Sequence, residues 1–323
     1  MVAAPPRNTD RSDMRIAVVG STGRIGATLT RRLLRDGHAV KALSRGGPAL
    51  DALVALRAAP VLGSFDTGAG DLDTVFQDVD AAFLMVKTDW TNLHGHYPAV
   101  ASRFVAALRN SPVRLAVSLT AIGSDAADAT GHFEGFHHLD QTLNQLGNLD
   151  LVHLRAGWFM ENALVWTSAV AQHGRIGWSL DPAVKLPWVA TQDIADLAAS
   201  ELTNPTGEHR VIREVGSEDL AMPDVAAIIS EAISKPIEYR FVDRTRDDVE
   251  AAYLARSGTP ERWPYDSQTL DALNDRRVRF HGSRRPLATT MTAFVRDVWR
   301  PRYLEALARE PEAETFYTWC ARD

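Results

Sequence analysis

One short stretch, RIAVVGSTGRIG at residues 15–26, constrains the fold of this chain more than any other. Gly20, Gly23 and Gly26 are spaced G-x-x-G-x-x-G between a β-rich run and a segment with helical spacing. The first glycine permits a tight turn, the second lets backbone approach a pyrophosphate, and the third allows close packing of helix on sheet. Free amide groups and the positive end of the helix then favour phosphate. In this strand–turn–helix context the motif predicts a dinucleotide-binding loop.

Strand and helix signals continue to alternate after the loop. A predicted helix starts near Arg24, with Gly37 as its stop signal, and another covers about 97–109. Alternation of this kind predicts βαβ units, and therefore an α/β fold with a doubly wound parallel sheet of the Rossmann type. The predicted strands are almost continuously apolar, as expected where helices cover both faces, and lie at 15–20, 39–44, 59–63, 81–86, 114–119 and 149–155.

Three regions follow from this pattern. Residues 1–13 have no apolar core and read as a disordered lead-in. Residues 14–155 form the predicted dinucleotide-binding Rossmann domain. Residues 156–323 form a smaller mixed α/β region that completes the sheet and builds the substrate subdomain. Within this last region we predict helices at 189–202 and 222–233, strands at 209–216 and 236–243, and a helical remainder.

Charge and cysteine content narrow the class of protein. The net charge of −6 argues against a nucleic-acid partner. The single cysteine, Cys320, cannot form an internal disulfide, and no apolar run reaches membrane-spanning length. We therefore expect a cytoplasmic protein without a membrane partner, acting as a monomer or homodimer. No histidine and carboxylate spacing of metal-site type occurs, so no metal is expected.

The end of the second predicted strand indicates which dinucleotide binds. An acidic residue there would bond the ribose 2′-hydroxyl of NAD(H), but this strand ends in LSRGG, with Ser44 and Arg45. Arg45 suits a 2′-phosphate, and Arg24 inside the loop adds a second positive group. We therefore predict NADP(H) as the cofactor.

The segment RIAVVGSTGRIGATLTRRLLRDGHAVKALSR resembles the NmrA-like family of atypical short-chain dehydrogenase/reductases. The resemblance extends to VLGSFDTG at 61–68, VDAAFLMV at 79–86 and LRAGWFMENAL at 154–164. It implies NADP(H) in a cleft between a Rossmann domain and a small substrate region. The family includes quinone reductases, azoreductases, aromatic-ether reductases and redox-sensing regulators. Together, motif and resemblance give these cofactor-binding candidates: Gly20, Ser21, Thr22, Gly23, Arg24, Ile25, Ser44, Arg45, Phe65, Met85, Lys87 and Ser118.

The sequence departs from the family at the position of the catalytic lysine, which this chain lacks. The resemblance places that lysine in a His-Phe-acid-Gly-Lys pattern, and this chain has Phe136 at the lysine position. No Tyr-x-x-x-Lys motif occurs either. A lysine would bond the nicotinamide ribose and lower the pKa of a nearby proton donor, and phenylalanine can do neither. A histidine is then the expected proton donor, with His137 and His132 as candidates.

An aromatic stretch follows the sixth predicted strand. Trp158, Phe159 and Asn162, together with Phe136, are the expected substrate contacts, and such a wall suits a flat or aromatic small molecule. The sequence thus predicts an NADP(H)-dependent oxidoreductase acting on a carbonyl, quinone or related conjugated molecule. Two alternatives remain: a dinucleotide-sensing regulator that binds protein partners without turnover, and a non-redox cyclase or isomerase that reuses the cleft.

Overall fold

The computed structural model describes residues 13–67, 69–126, 128, 130–257, 259–278, 287–309 and 314–322. The lead-in expected at 1–13 lies outside this part of the chain, apart from Asp13. The strands are β1 Arg15–Val19, β2 Ala39–Ser44, β3 Ala59–Leu62, β4 Ala81–Leu84, β5 Leu115–Ala121, β6 Asp150–Ala156, β7 Trp158–Phe159, β8 Arg175–Trp178, β9 Lys185–Val189, β10 Arg210–Val215, β11 Glu218–Ala221 and β12 Glu238–Phe241.

The helices alternate with the strands in the first half of the chain and dominate its end. They are α1 Arg24–Arg35, α2 Pro48–Val54, α3 Ala69–Phe76, α4 Leu93–Arg109, α5 His132–Leu143, α6 Thr167–His173, α7 Thr191–Thr203, α8 Met222–Ile233, α9 Asp247–Arg256, α10 Trp263–Asn274, α11 Met291–Phe294, α12 Arg300–Ala308 and α13 Phe316–Arg322. A 3-10 helix covers Met160–Trp166, and a π-helical turn at Val295–Trp299 joins α11 to α12.

The central sheet has seven parallel strands in the order β10-β6-β5-β4-β1-β2-β3. Side chains of β1 alternate between its faces. Ile16 and Val18 pack with α1 and α7, whereas Ala17 and Val19 pack with α3, α4 and α5. Helices therefore cover both faces, which confirms the predicted doubly wound α/β fold. In such a sheet, ligands bind at the carboxyl ends of the strands, where the strand order reverses between β1 and β4.

A smaller mixed region lies beyond β6. It contains the three-stranded sheet β11-β9-β7 and the two-stranded sheet β12-β8. Its core includes side chains from α8, α10 and α11 and the fully buried Trp188 and Trp299. This core also contains Phe133 of α5, so the mixed region packs directly against the helix that carries the histidines.

The predicted strands of the central sheet, and helices α1 and α8, match the structure to within two residues. One helix differs: α4 begins at Leu93 rather than Tyr97, because the Asn92 side chain caps it by accepting from the Gly95 amide. Strands β7, β8, β9 and β11 were not predicted. They have two to five residues each, and Gly177 and Pro187 interrupt their strand signal. Within the described residues, no helix combines the length and apolarity needed to cross a membrane.

Candidate functional site

The glycine loop leaves β1 through a turn that only glycine accommodates. Gly20 has φ +72°, and a Cβ there would lie 2.9 Å from Cγ of Met85. A Cβ on Gly26 would lie 2.2 Å from the Gly20 carbonyl oxygen, so α1 packs directly on the loop. The Gly23 amide donates to that same oxygen at 3.0 Å. Half-buried backbone without Cβ atoms, at Gly20 and Gly23, thus lies at the start of a helix, which fits the close approach of a pyrophosphate.

Two hydroxyl side chains attach this loop to the end of β2. Ser21 is buried and donates through Oγ to the Leu43 carbonyl at 3.0 Å, and Thr22 Oγ1 lies 3.2 Å from Ser44 Oγ. Arg24 and Arg45 are exposed beside these contacts. The structure therefore brings the predicted loop residues and both predicted arginines to one edge of the sheet.

The remaining predicted cofactor contacts lie along the same edge. Phe65 follows β3, and its ring packs 6.3 Å from Phe104 of α4. Lys87 is exposed after β4, and its carbonyl accepts from His96 Nε2 at 2.9 Å. Ser118 and Thr120 in β5 have buried hydroxyl oxygens without a hydrogen-bond partner among the described residues. Buried hydroxyls without partners are rare in folded proteins, and this pair marks the sheet edge next to the glycine loop.

A cavity of about 380 Å³ adjoins this edge. Ile25, Met85 and Thr120 line it from the Rossmann side. Phe136 and the predicted substrate contacts Trp158, Phe159 and Asn162 line it from α5 and the segment after β6. Residues from the end of the chain close it: Arg262, Thr269, Leu273, Val278 and Tyr317. These last five could not be predicted from the sequence, because nothing in the residues around them indicates that they dock over the sheet.

Four aromatic side chains form one continuous side of the cavity, here called the aromatic wall: Trp158, Trp166, Trp178 and Tyr317. The Trp178 ring centroid lies 5.2 Å from that of Trp158 and 5.7 Å from that of Trp166. Tyr317 of α13 meets Trp166 edge-on at 6.3 Å. Desolvation raises the pKa of Tyr317 to about 12, so its hydroxyl stays protonated. The wall is therefore apolar and neutral, and it suits a flat ring system.

Phe136 occupies an apolar position between the cavity and α4. Its ring meets that of Tyr97 at 5.3 Å in an edge-on arrangement. The Tyr97 hydroxyl lies 2.9 Å from Thr88 Oγ1, and burial raises the pKa of Tyr97 to about 12. Thr88 lines the cavity as well. A side chain at position 136 is thus in contact with the cavity, but Phe136 itself contributes no charge there.

His132, at the start of α5, lines the cavity as a neutral imidazole. Burial, with a smaller effect from the Arg262 charge, lowers its pKa to about 3. Its Nε2 lies 3.6 Å from Asp266 and has no hydrogen-bond partner among the described residues. The ring packs against Trp90 at 4.2 Å, and the Arg262 guanidinium lies 4.5 Å from the centre of the same indole. His132 therefore contacts the cavity without a positive charge.

His137 takes a different position. It is not among the residues that line the cavity, and its Nδ1 donates to the Ser124 carbonyl at 2.8 Å. This bond leaves Nε2 of the neutral ring as an acceptor. Of the two predicted donors, the structure therefore brings only His132 to the cavity. The described residues contain no group of three or more histidine, cysteine or acidic side chains arranged to hold a metal.

A buried charged cluster behind α5 was not predicted. Asp140 accepts from Ser124 Oγ at 2.8 Å and from Arg155 Nε at 3.0 Å, and His153 Nδ1 lies 2.8 Å from its other oxygen. Burial alone would raise the pKa of Asp140, but these hydrogen bonds and charges outweigh it and lower the pKa. The cluster fixes α5 to β6, and therefore holds His132 and Phe136 in place. The only signal in the sequence was an acid four residues after Phe136, on the same helical face.

Comparison with known proteins agrees with this architecture. Residues 12–250 match the model of the NmrA-like family. An NAD(P)H azoreductase of Xenophilus azovorans is 27% identical over 266 residues, which cover 80% of this chain and 85% of that protein.

Solved structures of similar fold include an NADPH-dependent quinone oxidoreductase of Escherichia coli complexed with NADPH. Its TM-score is 0.71 at 19% identity, over 86% of this chain and 97% of that one. The negative transcriptional regulator NmrA in complex with NADP gives a TM-score of 0.73 at 18% identity, over 91% of this chain and 98% of that one. At these identities the structural likeness shows the fold. With most of its length matched by the family model, the chain belongs to the NmrA-like family.

Proposed function

We propose that this protein is an NADP(H)-dependent oxidoreductase that reduces a quinone or another conjugated carbonyl compound in the cytoplasm. One observation supports this function above others: the glycine loop borders an aromatic cavity of about 380 Å³, a size that suits a flat small molecule. Two of the relatives are an NAD(P)H azoreductase and an NADPH-dependent quinone oxidoreductase, which agrees with this reaction class.

The residues present fit the cofactor. The backbone of Gly20, Ser21 and Thr22 would bind the pyrophosphate, and Arg45 would pair with a 2′-phosphate. When bound, NADPH supplies a hydride. Met85 and Thr120 would border the nicotinamide end, because both line the cavity beside the loop.

The substrate is held on the other side of the cavity. Trp158 and Phe159 would contact the face of its ring, and the surrounding apolar side chains exclude water. His132, being neutral, would donate a hydrogen bond from its one N–H to the substrate oxygen, and the proton that completes the reduction would come from solvent. No residue in this arrangement needs to change charge near neutral pH, so we propose a reduction whose rate varies little between pH 6 and pH 8.

Calorimetric titration with NADPH, followed by its oxidation at 340 nm with a panel of quinones and aromatic carbonyls, tests the proposal. We expect NADPH to bind and at least one quinone to be reduced. Failure of NADPH to bind would contradict both the cofactor assignment and the reaction.

The second candidate is a regulator that binds the dinucleotide without turnover. The observation that favours it is Phe136, which gives the cavity no cation where the family pattern has a lysine. The fold of NmrA, a negative transcriptional regulator in complex with NADP, agrees with this alternative. The same titration separates the two, because NADPH binding without oxidation across the whole panel would favour the regulator.

A further inference from the structure

We propose that the aromatic wall binds an uncharged hydrogen-bond acceptor on the substrate, such as a second carbonyl, an ether oxygen or a nitro group, through the indole N–H groups of Trp158 and Trp166. This inference rests on the proposed function and deepens it. It specifies what the substrate carries in addition to the group that is reduced.

Four of the tryptophans differ in the hydrogen bonds of their indole nitrogens. Away from the cavity, Trp188 Nε1 donates to the Leu220 carbonyl at 3.0 Å, and Trp299 Nε1 donates to the Ala163 carbonyl at 2.9 Å. Trp158 and Trp166 line the cavity, and their Nε1 atoms are buried without a hydrogen-bond partner within the described residues. Leaving a buried donor unpaired is costly, so two such donors, on rings that both contact Trp178, point to a partner that binds from outside the chain.

The chemistry of the two donors restricts that partner. An indole N–H donates and cannot accept, so the ligand atom that meets it must be an acceptor. His132 adds a third unpartnered nitrogen on the same cavity. An ammonium group would leave both indoles unsatisfied, whereas carbonyl, ether and nitro oxygens satisfy them.

The charges around the cavity favour a neutral ligand. Among the described residues that line it, Arg262 is the one that carries a charge at neutral pH in the vicinity of the wall. It is already paired, because its Nε lies 2.9 Å from Asp266. Asp266 also accepts from the Tyr253 hydroxyl at 2.9 Å. Burial raises the pKa of Asp266, and the charge of Arg262 and the two hydrogen bonds offset only part of that rise. An anionic substituent would therefore be buried without a free cation, which is unfavourable.

Replacing each indole by a phenyl ring tests the proposal directly. Trp158→Phe and Trp166→Phe keep an aromatic surface and remove the N–H. The probes are 1,4-naphthoquinone, its 2-sulfonate, and naphthalene as the ring without acceptors, each titrated by calorimetry into the NADP⁺-loaded protein. We expect each substitution to weaken naphthoquinone binding by roughly three- to tenfold and to leave naphthalene binding unchanged. In the unsubstituted protein the sulfonate should bind more weakly than naphthoquinone.

Trp299→Phe is the matched control, because it removes an N–H that has a protein partner and lies outside the cavity. It should lower the melting temperature and leave naphthoquinone binding unchanged, so weaker binding in the two cavity variants cannot be attributed to the loss of buried ring volume alone. Unchanged naphthoquinone affinity in both cavity variants, or tighter binding of the sulfonate, would overturn the proposal. Binding is measured without turnover, so an absence of NADPH oxidation would count against the proposed function alone.

Discussion

The ring of Phe136 meets the ring of Tyr97 edge-on, with 5.3 Å between centroids, and so joins α5 to α4 beside the cavity. Removing the Phe136 ring should therefore cost stability as well as substrate contact. For Phe136→Ala we expect a loss of about 1–3 kcal/mol in the free energy of unfolding, measured by urea denaturation. Phe136→Leu should lose clearly less. An alanine variant as stable as the unsubstituted protein would contradict the packing role.

Gly26→Ala tests the close contact between α1 and the glycine loop. The added Cβ would lie 2.2 Å from the Gly20 carbonyl oxygen, so backbone must move. We expect a loss of about 1–3 kcal/mol in unfolding free energy together with weaker dinucleotide binding, from denaturation and calorimetry. Gly147→Ala is the control, since a Cβ there meets nothing within 4 Å, and it should change neither quantity.

Arg45→Ala tests the choice of dinucleotide. Loss of one charge-assisted contact should weaken NADPH binding by roughly ten- to hundredfold and leave NADH binding nearly unchanged, as measured by calorimetry with both dinucleotides. Arg109→Ala removes an exposed arginine at the last turn of α4 and serves as the control. If Arg45→Ala weakened NADPH binding and NADH binding equally, the arginine would not recognise the 2′-phosphate.

His132 should make the protein less stable as the pH falls from 7 to 5. Its pKa of about 3 in the fold lies below the ordinary value of 6.5, so the unfolded chain takes up a proton in this range while the folded chain does not. The free energy of unfolding should therefore fall with decreasing pH, by about 2 kcal/mol at pH 5 from this residue. Asp140 does not contribute here, because its lowered pKa places its loss of stability at more acidic pH.

His132→Gln should reduce that pH dependence, measured by urea denaturation at pH 5, 6 and 7. His138→Gln, at an exposed position of the same helix, should leave it unchanged. The assignment of a neutral His132 would be wrong if both variants lost stability on acidification as steeply as the unsubstituted protein.

Asp140→Asn tests the charged cluster behind α5. The substitution leaves the buried Arg155 without its main partner, and breaking a buried pair in this way costs about 3–5 kcal/mol. Asp297→Asn is the contrasting change, because Asp297 pairs with Arg296 on the surface, and we expect no measurable effect on the melting temperature. Similar melting temperatures for the two variants would show that the cluster does not fix α5 to the sheet.

Features encoded by neighbouring residues could be predicted from the sequence. The glycine loop, the strands of the central sheet and α1 depend on apolar runs and glycine spacing, and the structure confirms them. Trp158, Phe159 and Asn162 also line the cavity as expected, because they directly follow β6 at the ligand-binding edge of the sheet. The role of each residue in binding stays a prediction.

Contacts between distant parts of the chain could not be predicted. Arg262 reaches the cavity from the turn before α10 and Tyr317 from α13, and nothing in the residues next to either one indicates that it docks over the sheet. The surroundings of the two candidate histidines of α5 could not be predicted for a similar reason. His132 and His137 lie only five residues apart, and their surroundings depend on which side chains from other elements pack against each face. His132 is distinguished from His137 by its packing against Trp90 and its proximity to Asp266, and neither contact can be inferred from the local sequence.

The match to the family model ends at residue 250, whereas Arg262, Thr269 and Tyr317 close the cavity from beyond that point. The glycine loop and these three residues are thus encoded in separate stretches of the chain, whereas Trp158, Trp166 and Trp178 of the aromatic wall lie within the matched part. Mutations in the terminal helices can then alter which molecules are accepted while the glycine loop stays intact. In this chain, the glycine loop alone therefore does not determine the shape of the cavity beside it.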